Sequence, residues 1–258
     1  ILGLCGCMAQ EPVTIQRLKR TAPHIDLVFG THNIHKLPEL IERVRQEEAM
    51  VIDVWKTGGA VIDNLPAKRA ERVRAWVTIQ YGCDKFCTYC IVPYVRGRER
   101  SRPPQEIIRE VRQLAEQGYV EVTLLGQTVS SYGQDFVGER YDFAQLLLDL
   151  DQIEGIERIR FMSPYPSDFD DRLIEALARC RRVCRHIHLP VQAGSNRVLH
   201  RMNRRYTRED YLERVERLRA ALPGLTLTTD IIVGFPGETE EDFEQTLDLV
   251  RQVRFDNA

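Results

Sequence analysis

The chain has 258 residues, 43% of them hydrophobic, and a formal net charge of −2; that length can bury a sizeable core and argues for one large domain, alone or with a smaller neighbour. Of its 36 basic residues 31 are arginine and 5 lysine, so local patches suited to gripping phosphate matter more than the near-neutral balance. An odd count of 7 cysteines, with no signal-peptide pattern and no long apolar run, argues against a disulfide-framed secreted domain and a membrane span and favours a reducing cytoplasm.

The chain opens without Met in a strand-like run, Ile1 to Leu4, and stops at Phe255 to Ala258 just after a helical pattern; both ends read as cut from something longer. A helix near Pro12 to Arg20, a strand at Asp26 to Phe29 and a helix at Leu37 to Glu47 make residues 1–52 the tail of a small α/β unit. Residues 53–74 carry Gly58, Gly59, Pro66 and charges without periodicity, which predicts a linker.

From Ala75 onward short apolar strands alternate with amphipathic helices, the signal for parallel βα units. A strand at Ala75 to Gln80 precedes a helix opened by Pro103 and Pro104 and ended by Gly118. Strands at Val120 to Leu125, Ile156 to Met162 and His186 to Leu189 precede helices at Phe143 to Leu150, Asp170 to Ala178 and Arg208 to Ala221. Thr207 with Asp210 three residues on is a variant capping box for the last of these. A strand at Leu225 to Val233 and a helix at Glu240 to Val253 form a fifth unit, and a sixth strand starts as the chain ends. The prediction is an α/β fold, an incomplete parallel (β/α) barrel over residues 75–258, with chemistry at the C-terminal ends of its strands.

The loop after the first of these strands holds Cys83, Cys87 and Cys90. A structural zinc or an ordinary iron–sulfur cluster takes four protein ligands, so a close triple points to a 4Fe-4S cluster with one iron open to a small molecule. The alternatives are a zinc knuckle borrowing a distant fourth ligand and a set of incidental thiols. Gln127, Ser163 and Gln192 follow later strands and are candidate polar cofactor contacts by position. Arg96, Arg98, Arg100 and Arg102 would share one face of an extended segment, a track for RNA phosphates unless they pair with Glu99, Glu106 and Glu110. Arg197, Arg201, Arg204, Arg205 and Arg208 read as solvated helix surface, His186 and His188 as satisfied core histidines, and Cys180 and Cys184 as buried inert thiols. The loop Gly234 to Glu238 lacks both the lysine of a P-loop and the glycine spacing of a dinucleotide fingerprint.

The run Gln80 to Arg102 is similar to the methylthiotransferase branch of the radical S-adenosylmethionine (SAM) enzymes. Phe29 to Pro38, Leu124 to Gly133, and His188 to Ser195 followed by Met202, Asn203 and Arg204 agree with that resemblance. It implies that Cys83, Cys87 and Cys90 hold a 4Fe-4S cluster that reduces S-adenosylmethionine, and that the resulting 5′-deoxyadenosyl radical attacks C2 of an isopentenylated adenosine beside a tRNA anticodon. Tyr89, beside the last cysteine, and Ile232 or Val233, under the adenine, would be cofactor contacts. A second 4Fe-4S cluster would supply sulfur, and of its three cysteines this chain keeps Cys7; Cys5, two residues away, is the less suitable thiol. The expected partners are tRNA and an electron donor such as flavodoxin or ferredoxin, with no membrane, for a cytoplasmic monomer. Branches acting on threonylcarbamoyladenosine in tRNA or on a ribosomal-protein aspartate are the rivals within the chemistry. A non-catalytic iron–sulfur module that binds RNA is the rival outside it.

Overall fold

The computed structural model describes residues 1–47, 49–55, 69, 71–138 and 141–258. Gly58, Gly59 and Pro66, the breakers of the expected linker, lie outside them. The chain forms two compact units, one of Ile1–Ala67, Tyr81–Asp84 and Cys90–Glu99, the other of Lys68–Gln80, Lys85–Tyr89 and Arg100–Ala258.

In the first unit β1 (Gly3–Cys5), β2 (Leu27–Phe29) and β3 (Val51–Asp53) form a parallel sheet in that order. The residues of β2 are buried on both faces, as a central parallel strand requires. Leu27 and Phe29 pack with Leu40 of α2 (Leu37–Gln46), while Val28 packs on the opposite side with Ile15 and Leu18 of α1 (Pro12–Thr21). The third strand ends at the first residue of the expected linker and has no counterpart among the predicted elements, since three residues are too few for an alternating pattern to register. The short helix α3 (Val92–Arg96) completes the unit, with Thr31 Oγ1 donating to the Val95 carbonyl at 3.0 Å.

The second unit is the barrel. Strands β4 (Arg74–Thr78), β7 (Glu121–Leu125) and β8 (Arg158–Phe161) are parallel neighbours, as are β9 (His186–His188) and β10 (Thr226–Thr228). A parallel bridge from Ile159 to Val183 joins the two sets, and one from Thr228 to Asn257 begins the sixth strand. The short strands β5 (Gln80–Tyr81) and β6 (Arg100–Ser101) bracket the cysteine loop.

Helices α4 (Pro104–Glu116), α5 (Phe143–Leu150), α6 (Asp171–Arg179), α8 (Arg208–Ala221) and α9 (Glu240–Val253) follow the five strands. The α4 side chains Ile107, Val111 and Leu114, buried as their spacing predicts, lie in one core with Ala75, Val77, Val122, Leu124, Ile159 and Phe161. Burial of each such aliphatic side chain contributes roughly 1.5–3 kcal/mol. The opposite face of the sheet is polar: buried Glu121 binds Arg158 at 2.6 Å and Arg160 at 3.2 Å. Burial pushes the Glu121 carboxyl up, but the two guanidiniums outweigh it and hold the group below its ordinary value.

Helix α7 (Asn196–Arg201), with Val198 and Leu199 buried, has no counterpart in the predicted elements, because six residues are too few for a 3.6-residue period to show. The expected strand from Leu225 to Val233 shrinks to the three residues of β10, after which Ile231 keeps a single parallel bridge to Gln192. Among the described residues no helix is long and apolar enough to cross a membrane.

Candidate active site

The cysteine loop begins at Gly82, whose φ of +75° favours glycine and where any Cβ would collide with the carbonyls of Gly97 and Arg98. Cys83 is buried and donates its backbone N–H to the Gly97 carbonyl at 3.2 Å. Asp84 and Glu99 exchange backbone-to-carboxylate hydrogen bonds, each 3.2 Å.

The middle of the loop belongs to the barrel unit. Phe86 has a left-handed φ of +49°, and its carbonyl accepts from Asn203 Nδ2 at 2.8 Å. Thr88 donates from its backbone N–H to Met202 and from its hydroxyl to Arg201, both carbonyls at 3.1 Å.

Two arginines of the second basic group are largely buried, Arg208, with its side chain 12% exposed, and Arg204. Neither is solvated helix surface; the Arg204 guanidinium packs 4.4 Å from the Tyr165 ring and 5.0 Å from the Tyr206 ring. Its Nη1 lies 3.4 Å from both Cys87 Sγ and the Tyr89 hydroxyl, and its Nη2 donates to the Pro190 carbonyl at 3.0 Å. Burial works against its charge, but Tyr206, Tyr89, Tyr165 and Cys87 more than compensate and hold its pKa above the ordinary arginine value. A fixed, charged, stacked guanidinium beside a thiol is equipped to take a carboxylate or to stabilise a thiolate.

Because the strands are parallel, the expected cofactor contacts share the C-terminal edge of the sheet. Ser163, just past β8, and Gln192, after β9, have left-handed φ values of +56° and +72°; non-glycine residues in this conformation cluster at functional sites. Gln192 is tied into the sheet, accepting from Ile232 N–H at 2.8 Å and donating its own N–H to the Asp230 carbonyl at 2.9 Å. Of the two apolar candidates, Ile232 packs against the core and Val233 is 62% exposed. Gln127 is half-buried, and Tyr89 is 40% exposed.

Gln80, just past the first barrel strand, is completely buried, and among the described residues neither its Nε2 nor its Oε1 has a hydrogen-bond partner. Gly126 makes room for this amide, since a Cβ there would meet Gln80 Oε1 at 3.3 Å. Leaving a buried donor and acceptor unmade costs about 1–3 kcal/mol each, so the amide calls for a polar guest. The histidines are also not core residues: His188 contacts Thr228 Oγ1 at 3.0 Å and Asp230 Oδ2 at 3.2 Å, and both rings are partly exposed. Cys180 is buried as expected, whereas Cys184 is half-exposed.

The four alternating arginines do not share one extended face. Arg96 ends helix α3 and donates from Nε to Cys7 Sγ at 3.3 Å. Arg98, its side chain 76% exposed, pairs with Asp84 at 3.0 Å. Arg102 is buried, bound to Glu110 at 2.8 Å and the Thr78 carbonyl at 2.6 Å, while Arg100 is half-buried in β6. The helical turn at Val92–Arg96 and a left-handed Gly97 break the alternation that an extended chain would have kept. Cys7 likewise does not continue β1; Gly6 turns at φ +113° and Cys7 caps a short 3-10 helix, Met8–Gln10.

A family model described as the Radical SAM superfamily matches residues 77–250. The chain belongs to the radical SAM superfamily. It is 57% identical over its whole length to the tRNA-2-methylthio-N(6)-dimethylallyladenosine synthase of Desulforamulus reducens, covering 56% of that protein. It is also 57% identical to the synthase of the same name from Pelotomaculum thermopropionicum, covering 58% of it. The chain thus spans little more than half the length of these relatives. Among solved structures, the radical S-adenosylmethionine methyltransferase TsrM from Kitasatospora setae matches 71% of the chain and 34% of its own, at 20% identity and a TM-score of 0.58. The cobalamin-dependent S-adenosylmethionine radical enzyme OxsB matches 97% and 43%, at 15% identity and a TM-score of 0.65; both likenesses speak to the fold.

A radical SAM site needs a cluster and a polar cofactor, and the donor chemistry here suits both. The loop supplies three cysteine sulfurs, Cys87 has a guanidinium on its sulfur, and among the described residues the buried Gln80 amide lacks a hydrogen-bond partner. Among the described residues no three His, Cys, Asp or Glu side chains are gathered as ready metal ligands, so ligand assignment rests on the loop's spacing and chemistry.

Proposed function

We propose that the protein is a radical SAM methylthiotransferase that modifies C2 of N6-isopentenyladenosine in tRNA, next to the anticodon. The observation that carries this reading is 57% identity along all 258 residues to a synthase named for that product, with the cysteine loop inside the matched stretch.

Cys83, Cys87 and Cys90 hold a 4Fe-4S cluster, which when bound supplies the electron for reductive cleavage of S-adenosylmethionine. Arg204 binds the carboxylate of that cofactor, its guanidinium already oriented by two tyrosine rings and the Pro190 carbonyl. The Gln80 amide, Gln127, Ser163 and Gln192 offer polar contacts along the same strand ends, and Tyr89 closes the cofactor's flank. Val233, exposed beside Ile232, is the apolar surface for adenine. Arg98 and Arg100 serve RNA phosphates. Arg102, buried in its ion pair with Glu110, anchors the segment instead. Cys7, with Arg96 on its sulfur, is one ligand of a second 4Fe-4S cluster. The working form is a cytoplasmic monomer supplied with electrons by a flavodoxin or ferredoxin.

The test is methylthiolation by the full-length protein of isopentenylated and unmodified tRNA, followed by nucleoside analysis. Activity on the isopentenylated tRNA alone supports the reading; equal activity on both, or activity only on a ribosomal protein, overturns it. Release of 5′-deoxyadenosine on reduction with S-adenosylmethionine, lost in C87A, separates the enzyme from a non-catalytic iron–sulfur module.

A further inference from the structure

Lys85 sits between Cys83 and Cys87, and ligand spacing alone does not require a lysine there. Its Nζ lies 2.8 Å from Asp168 Oδ1, with side-chain exposures of 14% and 8%, and 4.7 Å from the Tyr165 ring centroid. Asp168 Oδ2 accepts from the hydroxyls of Ser130 (2.8 Å) and Ser131 (3.0 Å). The Ser130 hydroxyl in turn accepts from Tyr165 N–H at 2.8 Å. One lysine thus ties the cysteine loop to the segments that follow β7 and β8.

A buried ion pair is poor evidence for net stability, because desolvation of both charges offsets most of their attraction. What such a pair supplies is geometry, since both partners are costly to move apart. On the other side, Phe86 and Thr88 are bound to Asn203, Met202 and Arg201. The segment carrying Cys87 is therefore gripped from two directions.

We propose that Lys85 and Asp168 are a positioning pair that holds the Cys87 segment in its metal-binding conformation before any metal arrives; its link to cluster chemistry rests on the radical SAM reading above. The pair acts through the loop and touches no reacting atom. Partners one step behind a metal ligand typically change metal affinity by about 10- to 100-fold when removed.

The experiment compares the full-length parent with K85M, K85R and D168N in two measurements. The first is amide hydrogen exchange of residues 85–89 in the iron-free protein. The second is iron release to a ferrous chelator from the anaerobically reconstituted protein, with the spectrum of the reduced cluster recorded by electron paramagnetic resonance. In K85M and D168N, loop exchange accelerates, iron release accelerates about tenfold and the spectrum changes, while K85R restores most of the parent behaviour. K85M leaves Asp168 with its two serine donors, so it decides the matter if D168N does not fold. Parent-like loop exchange in K85M overturns the proposal, as does a lowered thermal midpoint with loop exchange unchanged. Failure of the parent to take up iron counts against the radical SAM reading, while exchange in the iron-free protein still judges the clamp.

Discussion

Arg204 concentrates the residue-level chemistry: one guanidinium meets two aromatic faces, a thiol, two phenols and a backbone carbonyl. A charged hydrogen bond to a carboxylate is worth about 1.5–3 kcal/mol, so R204M raises the KM for S-adenosylmethionine by roughly 10- to 100-fold at unchanged iron content. R204K recovers little, because an ammonium does not reproduce the planar fork and the stacking. Nothing in the sequence separates this arginine from its neighbours Arg201, Arg205 and Arg208; its burial depends on Tyr165, some forty positions earlier in the chain. Cys180, by contrast, is as inert as its apolar neighbourhood predicts. Burial, then the Asp151 carboxylate, pushes its thiol up to about 12, so mass spectrometry after brief alkylation of the native protein at pH 8 finds Cys180 unmodified and Cys5, which is exposed, labelled.

At the scale of elements, long periodic helices were the most legible part of the sequence. Residues Phe143–Leu150, Arg208–Ala221 and Glu240–Val253 are helical as predicted, and the Thr207 capping box forms with both of its hydrogen bonds. T207A removes that cap and lowers stability by about 1 kcal/mol in thermal unfolding. Short strands such as β2 and β9 fell where an apolar run marked them, whereas β3 and α7 were not predicted and β10 is shorter than predicted, because these owe their form to neighbours distant in the chain. Strand β9 carries a pH response: burial, then Arg160 and His188, hold His186 below its ordinary value of 6.5. The unfolded chain therefore binds a proton there more readily than the folded one. The associated stability is fully present above about 6.5 and is lost as pH falls below that value and through the lower folded-state pKa. Denaturant titrations of H186N, compared with the parent, show a smaller loss of stability between pH 7 and 5.

Over the whole molecule, the order of five βα units and the start of a sixth strand follow from period alone, since each strand–helix alternation admits few topologies. The candidate site was legible only as far as positions at strand ends: three cysteines, Ser163 and Gln192 could be named, whereas Lys85, Asp168 and the orphaned Gln80 amide needed the fold. The row of arginines failed for the same reason, since an alternating pattern becomes one face only if the backbone stays extended. Among the described residues of the barrel unit five that are not glycine, Phe86, Ser163, Gln192, Asn203 and Arg254, adopt left-handed backbone, each costing about 1–2 kcal/mol. A glycine placed at Ser163 would relieve that cost, so S163G melts higher yet turns over its cofactor more poorly. The rim is thus where selection for durability and selection for activity pull in opposite directions, and sequences evolved only for heat resistance should lose their function there first.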